Sequence, residues 1–215
     1  MKNWLDKMER RFGRYAIRNL TMYLLAGYAI GYLLSFTMPQ LLTYFTLEPA
    51  LILKGQVWRL LSWVIIPPND NIIFVIFMML LYYSLGNTLE SYWGAFRYNV
   101  YIFSGILFTV IGAFIVNGLI GGITGFGSLY STYYINMSIF LACASIMPDY
   151  QLLLYGIIPI KMKWLAILDV VLLAVDAVQG GLIIRIVIIA SLLNFIIFFF
   201  CNRNLRGHSP KQAAR

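Results

Sequence analysis

The chain has 215 residues, of which 61% are hydrophobic and 11% charged. Soluble domains carry about 25% charged residues, so this composition excludes an ordinary soluble domain and places the chain in a bilayer. The net charge of +8 sits mainly at the two ends, without stripe or repeat, which suits a membrane surface and argues against nucleic acid as a partner.

Residues 1–19 form a basic leader. Trp4, Leu5, Met8, Phe12 and Tyr15 recur at helical spacing, and Lys2, Lys7, Arg10, Arg11, Arg14 and Arg18 fill the rest of its surface. This pattern predicts an amphipathic helix lying on the membrane, basic side toward anionic headgroups. The leader is not a cleavable signal, because the apolar run after it is long and no small-x-small site closes it. Leu20 to Phe36 is the first predicted span. Its Gly27 and Gly31 make a small-x-x-x-small step that permits close approach.

Residues 38–69 are neither a clean span nor a polar loop. Pro39, Pro49, Pro67 and Pro68 punctuate apolar segments that also carry Glu48, Lys54, Trp58 and Arg59. Backbone that leaves the helix at membrane depth must be satisfied by protein, so a structured interfacial loop with short helices is expected. Asn71 to Glu90 is the second span and Tyr98 to about Leu119 the third. A charge-free glycine-rich turn covers residues 118–127. Leu129 to Met147 is the fourth span, ended by Pro148. Tyr150 to Lys163 reads as an amphipathic connector. Trp164 to Val178 is the fifth span, and Leu182 to Cys201 the sixth, after the turn Gln179-Gly180-Gly181. A basic tail, 202–215, follows. The sequence thus predicts an all-α membrane protein: a leader, a six-transmembrane-helix domain over 20–201, and a tail.

With six spans both ends share one side. That side collects thirteen Lys/Arg against two, Lys54 and Arg59, on the other. The positive-inside rule then puts both termini in the cytoplasm; in a prokaryote the membrane is the plasma membrane. Cys143 and Cys201 lie in apolar runs and read as buried thiols, with no disulfide framework or zinc set.

Arg59 at membrane depth must donate to carbonyls or to an acid such as Glu48. Trp58 suits the interfacial belt. Gly86 and Gly94 stand two helical turns apart and leave room for a neighbouring backbone. Glu90 between them needs a partner, either N–H groups of the following loop or Arg97. In the last spans, Asp176 and Arg185 flank a tight turn and are expected to pair. Asp169, two turns deeper, is expected to take a hydrogen bond from Ser191 or Asn194. Asn136 is the polar residue of the fourth span.

Trp58-Arg59 in a large first loop, Gly86-x-x-x-Glu90-x-x-x-Gly94 at the end of the second span, and Arg97 leading into an aromatic third span give a pattern that resembles the rhomboid superfamily. The likeness covers about residues 45–175. It implies a six-helix rhomboid-like bundle with a structured first loop. The family's proteases use a serine in Gly-x-Ser-Gly and a histidine in the sixth span. Here Gly122-Ile-Thr124-Gly125 is the nearest match, and a second alignment puts Tyr133 at the serine. Phe74 and Met78 occupy the positions of the family's oxyanion residues. The one histidine, His208, lies in the tail. A serine needs an adjacent base, so no catalytic residue is assigned, and no cofactor or metal site.

The leading expectation is a catalytically inactive, Derlin-like pseudoprotease that binds transmembrane segments of client proteins. The tail lacks the Phe/Gly-rich segment by which Derlins recruit their ATPase. The alternatives are a residual hydrolase using Thr124, Ser128 or Ser131, and a small ion- or proton-coupled transporter subunit built around Asp169. Nothing in the sequence speaks to oligomeric state.

Overall fold

The computed structural model describes residues 4–67, 71–154 and 158–201. The leader is a helix, α1 (Trp4–Phe12), followed by a short 3₁₀ turn at Gly13–Tyr15. Its apolar stripe divides. Leu5 is buried in the protein core, whereas Phe12 and Tyr15 stay exposed.

The chain then enters α2 (Leu20–Thr37) from Asn19, whose φ of 54° is left-handed. The first loop is structured, as expected. It consists of α3 (Pro39–Leu42), α4 (Pro49–Ile52), α5 (Arg59–Ser62) and a 3₁₀ turn at Trp63–Ile65. Proline opens both α3 and α4 at the first helical position, where its missing N–H costs nothing. The loop packs back on α2. A methyl group on Gly31 would overlap the Ile65 carbonyl, so the Gly27/Gly31 step serves the loop instead of another helix.

Two long helices follow, α6 (Ile72–Trp93) and α7 (Ala95–Leu119), joined by Gly94 alone. Asn71 caps α6 by accepting a hydrogen bond from the Ile73 N–H at 3.0 Å. The predicted fourth span is shorter than read. Its helix, α8 (Tyr133–Ile146), has 14 residues, about 21 Å of helix. The connector contains a β-hairpin. β1 (Gln151–Leu154) pairs antiparallel with β2 (Ile158–Lys161), Gln151 facing Lys161. The β-branched isoleucines of the Ile-Pro-Ile-Lys stretch suit a strand, and its proline disfavours a helix interior. Asp149 meets Lys163 at 3.2 Å and Lys161 at 3.5 Å, and the Lys163 hydrogen bond holds its carboxyl below the usual carboxylate range. The chain closes with α9 (Met162–Gln179) and α10 (Leu182–Cys201).

Among the described residues, four helices are long and apolar enough to cross a membrane: α2, α6, α7 and α10. By that measure α8 is too short, and α9 carries Lys163, Asp169 and Asp176 within its length. Yet α8 is the middle of the fold, with most of its side chains buried. It packs against α6 on one side and against α9 and α10 on the other, while α6 and α9 barely touch each other. The tightest helix pair is α7 with α10. At one end of this pair Trp93, Tyr101 and Phe198 form an aromatic triangle with centroids 4.7 to 5.4 Å apart.

Candidate functional site

Three polar constellations organise the bundle, and the sequence singled out residues in each. The first ties the first loop. Arg59 is 3% exposed. Its guanidinium donates to the carbonyls of Thr43 (2.8 Å) and Thr46 (2.9 Å), to Thr46 Oγ1 (3.1 Å) and to Gln56 Oε1 (2.7 Å). Trp58 Nε1 donates to the Tyr44 carbonyl at 3.2 Å. Glu48 is not the acid for Arg59. Its carboxylate accepts from the N–H groups of Gly125 (3.0 Å) and Gly127 (2.8 Å), so it clamps the loop to the glycine-rich turn. A Cβ on Gly127 would sit 2.8 Å from Glu48 Oε1, which explains a glycine there.

The second constellation receives the leader. Arg97 meets Asp6 at 2.8 Å and Glu9 at 2.9 Å, and Glu90 accepts from the Asn19 N–H at 2.8 Å. The expected pairing of Glu90 with Arg97 or with the following loop is therefore wrong. Both residues turn instead to residues 6–19, which the span-by-span reading left on the membrane surface. Gly86 admits the buried Thr21–Tyr98 hydroxyl pair, 2.7 Å apart; a Cβ there would overlap Thr21. Gly94 has a different role. Nothing presses on it, and its φ of 85° makes the corner between α6 and α7, a conformation that costs glycine little.

Replacing Arg97 with alanine is expected to free α1 without unfolding the bundle. Partly exposed ion pairs contribute about 0.2–1 kcal/mol each, so thermal unfolding in detergent moves little. Trypsin cleavage after Arg10 or Arg11 accelerates. Unchanged protection of those bonds would show that Leu5 alone holds the helix.

The third constellation lies within the bundle. Asn136 of α8 faces Tyr28 of α2, with contacts of 3.3 and 3.5 Å to its hydroxyl. Asn194 of α10 grips α7: it accepts from Ser104 Oγ at 2.6 Å and donates to the Tyr101 carbonyl at 3.0 Å. Tyr101 in turn donates to the Ser138 carbonyl of α8 at 2.8 Å. Asn194 is thus spent on α7 and does not serve Asp169; the side chain of Ser191 lies outside those described. Asp169 Oδ2 is buried without a hydrogen-bond partner, whereas the Thr132 hydroxyl lies beside that of Tyr28. Asp169 lies within electrostatic reach of the Tyr82 and Tyr133 hydroxyls, so groups from α6, α8 and α9 converge there.

Asp176 and Arg185 do not pair. Arg185 donates to the Ala177 carbonyl at 2.8 Å and the Val178 carbonyl at 3.3 Å. The last carbonyls of α9 lack intrahelical donors and carry the negative end of its dipole, and they outcompete the carboxylate.

Of the hydroxyls weighed as nucleophiles, Ser131 Oγ accepts from the Tyr133 N–H at 3.1 Å and starts α8. Thr124 and Ser128 lie in the turn that Glu48 clamps. Phe74 and Met78 lie on α6, Phe74 well exposed. His208 lies outside the described residues. Among those described, no group of three His, Cys, Asp or Glu side chains could hold a metal.

A family model described as "eukaryotic integral membrane protein (DUF1751)" matches residues 18–210. The chain belongs to this family. No curated protein and no solved structure matches it. Membership in the DUF1751 family makes the four apolar helices those of an integral membrane protein. The family is eukaryotic, so the prokaryotic case, with its plasma membrane, does not arise. The match begins at Arg18 and so leaves out the docked leader helix.

Proposed function

We propose that this DUF1751 protein is a catalytically inactive, rhomboid-like membrane scaffold that binds transmembrane segments of client proteins. Both termini face the cytoplasm on this reading, from the thirteen-to-two charge bias, and α8 and α9 complete six crossings. A short α8 crosses because its neighbours shield it from lipid.

The observation that carries the reading is the convergence around Asp169. Helices α6 and α9 each pack on short α8 and barely on each other, and Asp169 Oδ2 is buried without a partner. A polar group buried in an apolar medium costs several kcal/mol until it finds a hydrogen bond. A client helix entering between α6 and α9 with a donor in its span supplies that bond. The absence of enzymatic activity belongs to the same proposal. The hydroxyls near the turn have no adjacent base, since the only histidine in the sequence is His208, and Ser131 serves as a helix start.

The test is site-specific photocrosslinking in native membranes, with the probe at Phe77 of α6 or Val171 of α9 and, as a control, at Tyr23 of α2. All three side chains are exposed. Discrete membrane-protein adducts from α6 and α9, absent from α2 and weakened several-fold by Asp169→Leu, are the expected result. Equal labelling from all three positions overturns the client site. Proton flux in liposomes that disappears in Asp169→Asn would replace the binder with a transporter.

A further inference from the structure

A second site lies outside the bundle, where the end of the leader crosses α7. Phe12, Tyr15 and Ile17 form one wall of an apolar groove, and Phe96, Phe103 and Leu107 of α7 form the other, enclosing about 390 Å³. Next to it is a cavity of about 260 Å³ lined by Arg14, Arg18, Glu9 and Ala95. Ala16 and Phe96 line both, so the two are continuous. The polar half carries a small positive surplus. Arg97 is shared between Asp6 and Glu9, so Arg14, Arg18 and Arg97 face two carboxylates, and Arg14 also donates to Tyr15 Oη at 2.6 Å. The first turn of α7, with N–H groups that have no intrahelical acceptor, opens on the same cavity at Ala95.

The apolar half holds one polar group. Asn99 is 5% exposed, lines the groove, and its Oδ1 has no hydrogen-bond partner. The same carboxamide also carries two donors on Nδ2, and these can serve an occupant of the groove. Asn99 is one helical turn along α7 from Ala95, about 6 Å deeper. The order along the groove is therefore basic side chains, then a carboxamide that can donate or accept, then aromatic and aliphatic surface.

We propose that this groove is a binding site for an anionic phosphoglycerolipid. The phosphate and acidic headgroup sit between Arg14, Arg18 and the α7 N-terminus. The Nδ2 of Asn99 donates to an ester carbonyl at the glycerol level. One acyl chain runs over Phe103 and Leu107. A free phosphate would use only the upper cavity and leave Asn99 and the aromatic wall unoccupied, so the lipid is the ligand that uses all three. This inference does not depend on client binding, since the residues lining the groove come from the leader and α7 and none from α6 or α9.

Native mass spectrometry of the purified full-length chain tests it. Phosphatidylserine and phosphatidylcholine of the same acyl composition are titrated in detergent. One high-affinity phosphatidylserine adduct, outcompeting phosphatidylcholine about tenfold or more, is expected from two basic groups at a membrane surface. The Arg14→Ala/Arg18→Ala double variant abolishes that preference, while Arg10→Ala/Arg11→Ala, which removes the same charge from α1, retains it. Leu107→Trp, which fills the groove, weakens both lipids. If the two Arg pairs weaken binding equally, the attraction is diffuse and the site does not exist. Displacement of phosphatidylserine by millimolar inorganic phosphate, with the Leu107→Trp variant unaffected, also overturns it in favour of a phosphate site.

Discussion

Arg59→Ala is expected to destabilise the protein by about 3–5 kcal/mol, read as a loss of thermal stability of the full chain in detergent. Hydrogen bonds to a charged group contribute about 1.5–3 kcal/mol, and each buried acceptor left bare costs about 1–3 kcal/mol more. Two of the acceptors here, the carbonyls of Thr43 and Thr46, are backbone groups at the turn between α3 and α4. The Thr43 carbonyl keeps a hydrogen bond from Thr46 Oγ1 at 2.9 Å, whereas the Thr46 carbonyl has no helix or sheet to fall back on. Arg59→Lys should lie close to the alanine variant, because one ammonium cannot reproduce a fork that reaches Gln56 and two carbonyls at once. A lysine variant as stable as the parent would mean that only the charge matters. Glu48→Gln should behave differently. It weakens the clamp on Gly125 and Gly127, so limited proteolysis within residues 118–127 should rise while the Arg59 network stays intact.

Arg59 and Glu48 also show what was legible in advance. A guanidinium at membrane depth announces that it must be bound, and Arg59 is bound to carbonyls as its chemistry requires. Which acceptors it finds depends on how residues 38–66 fold back, and that is tertiary information. The same holds for Glu90 and Arg97. Both were recognisable as groups needing partners. The partners, Asn19, Asp6 and Glu9, lie 71 to 91 residues away in sequence. The leader's basic surplus drew attention to lipid and hid the role of its two acids. A signal was present: Asp6 and Glu9 stand three apart, on one face of α1.

Apolar length marked α2, α6, α7 and α10 well, with boundaries within a few residues, because a run of about 20 apolar residues has few alternatives. It failed where helix length and hydropathy part company. The sequence from Leu129 to Met147 is uncharged throughout, yet Gly127–Leu129 forms a 3₁₀ turn and the helix waits for Tyr133. The hairpin at β1 and β2 lay inside the stretch read only as an amphipathic connector, because a short apolar run with a proline fits either period. Arg185 was assigned to the nearest opposite charge in sequence, although the bare carbonyls at the end of α9 offered a better-placed acceptor.

Gly86→Ala is expected to cost about 2 kcal/mol, against the usual sign for this substitution in a helix. Alanine gains about 0.5–1 kcal/mol over glycine inside a helix, and Gly118→Ala, where a Cβ meets nothing within 4 Å, should show that gain. At Gly86 the new methyl overlaps Thr21 Oγ1 and comes within 2.8 Å of the Tyr98 hydroxyl. Forcing atoms into a filled site costs about 1–3 kcal/mol, and parting Thr21 from Tyr98 forfeits a buried hydrogen bond of about 0.5–1.5 kcal/mol. Together they exceed the gain in helix propensity. Thr21→Ala makes the space that the methyl needs, so the Gly86→Ala/Thr21→Ala double variant should be more stable than the sum of the single losses by about 1–2 kcal/mol, a coupling typical of residues in contact. Thermal unfolding of the four proteins in one detergent measures it. Additive losses would mean that α2 and α6 separate to admit the methyl, and that Gly86 is not where α2 is locked to the bundle.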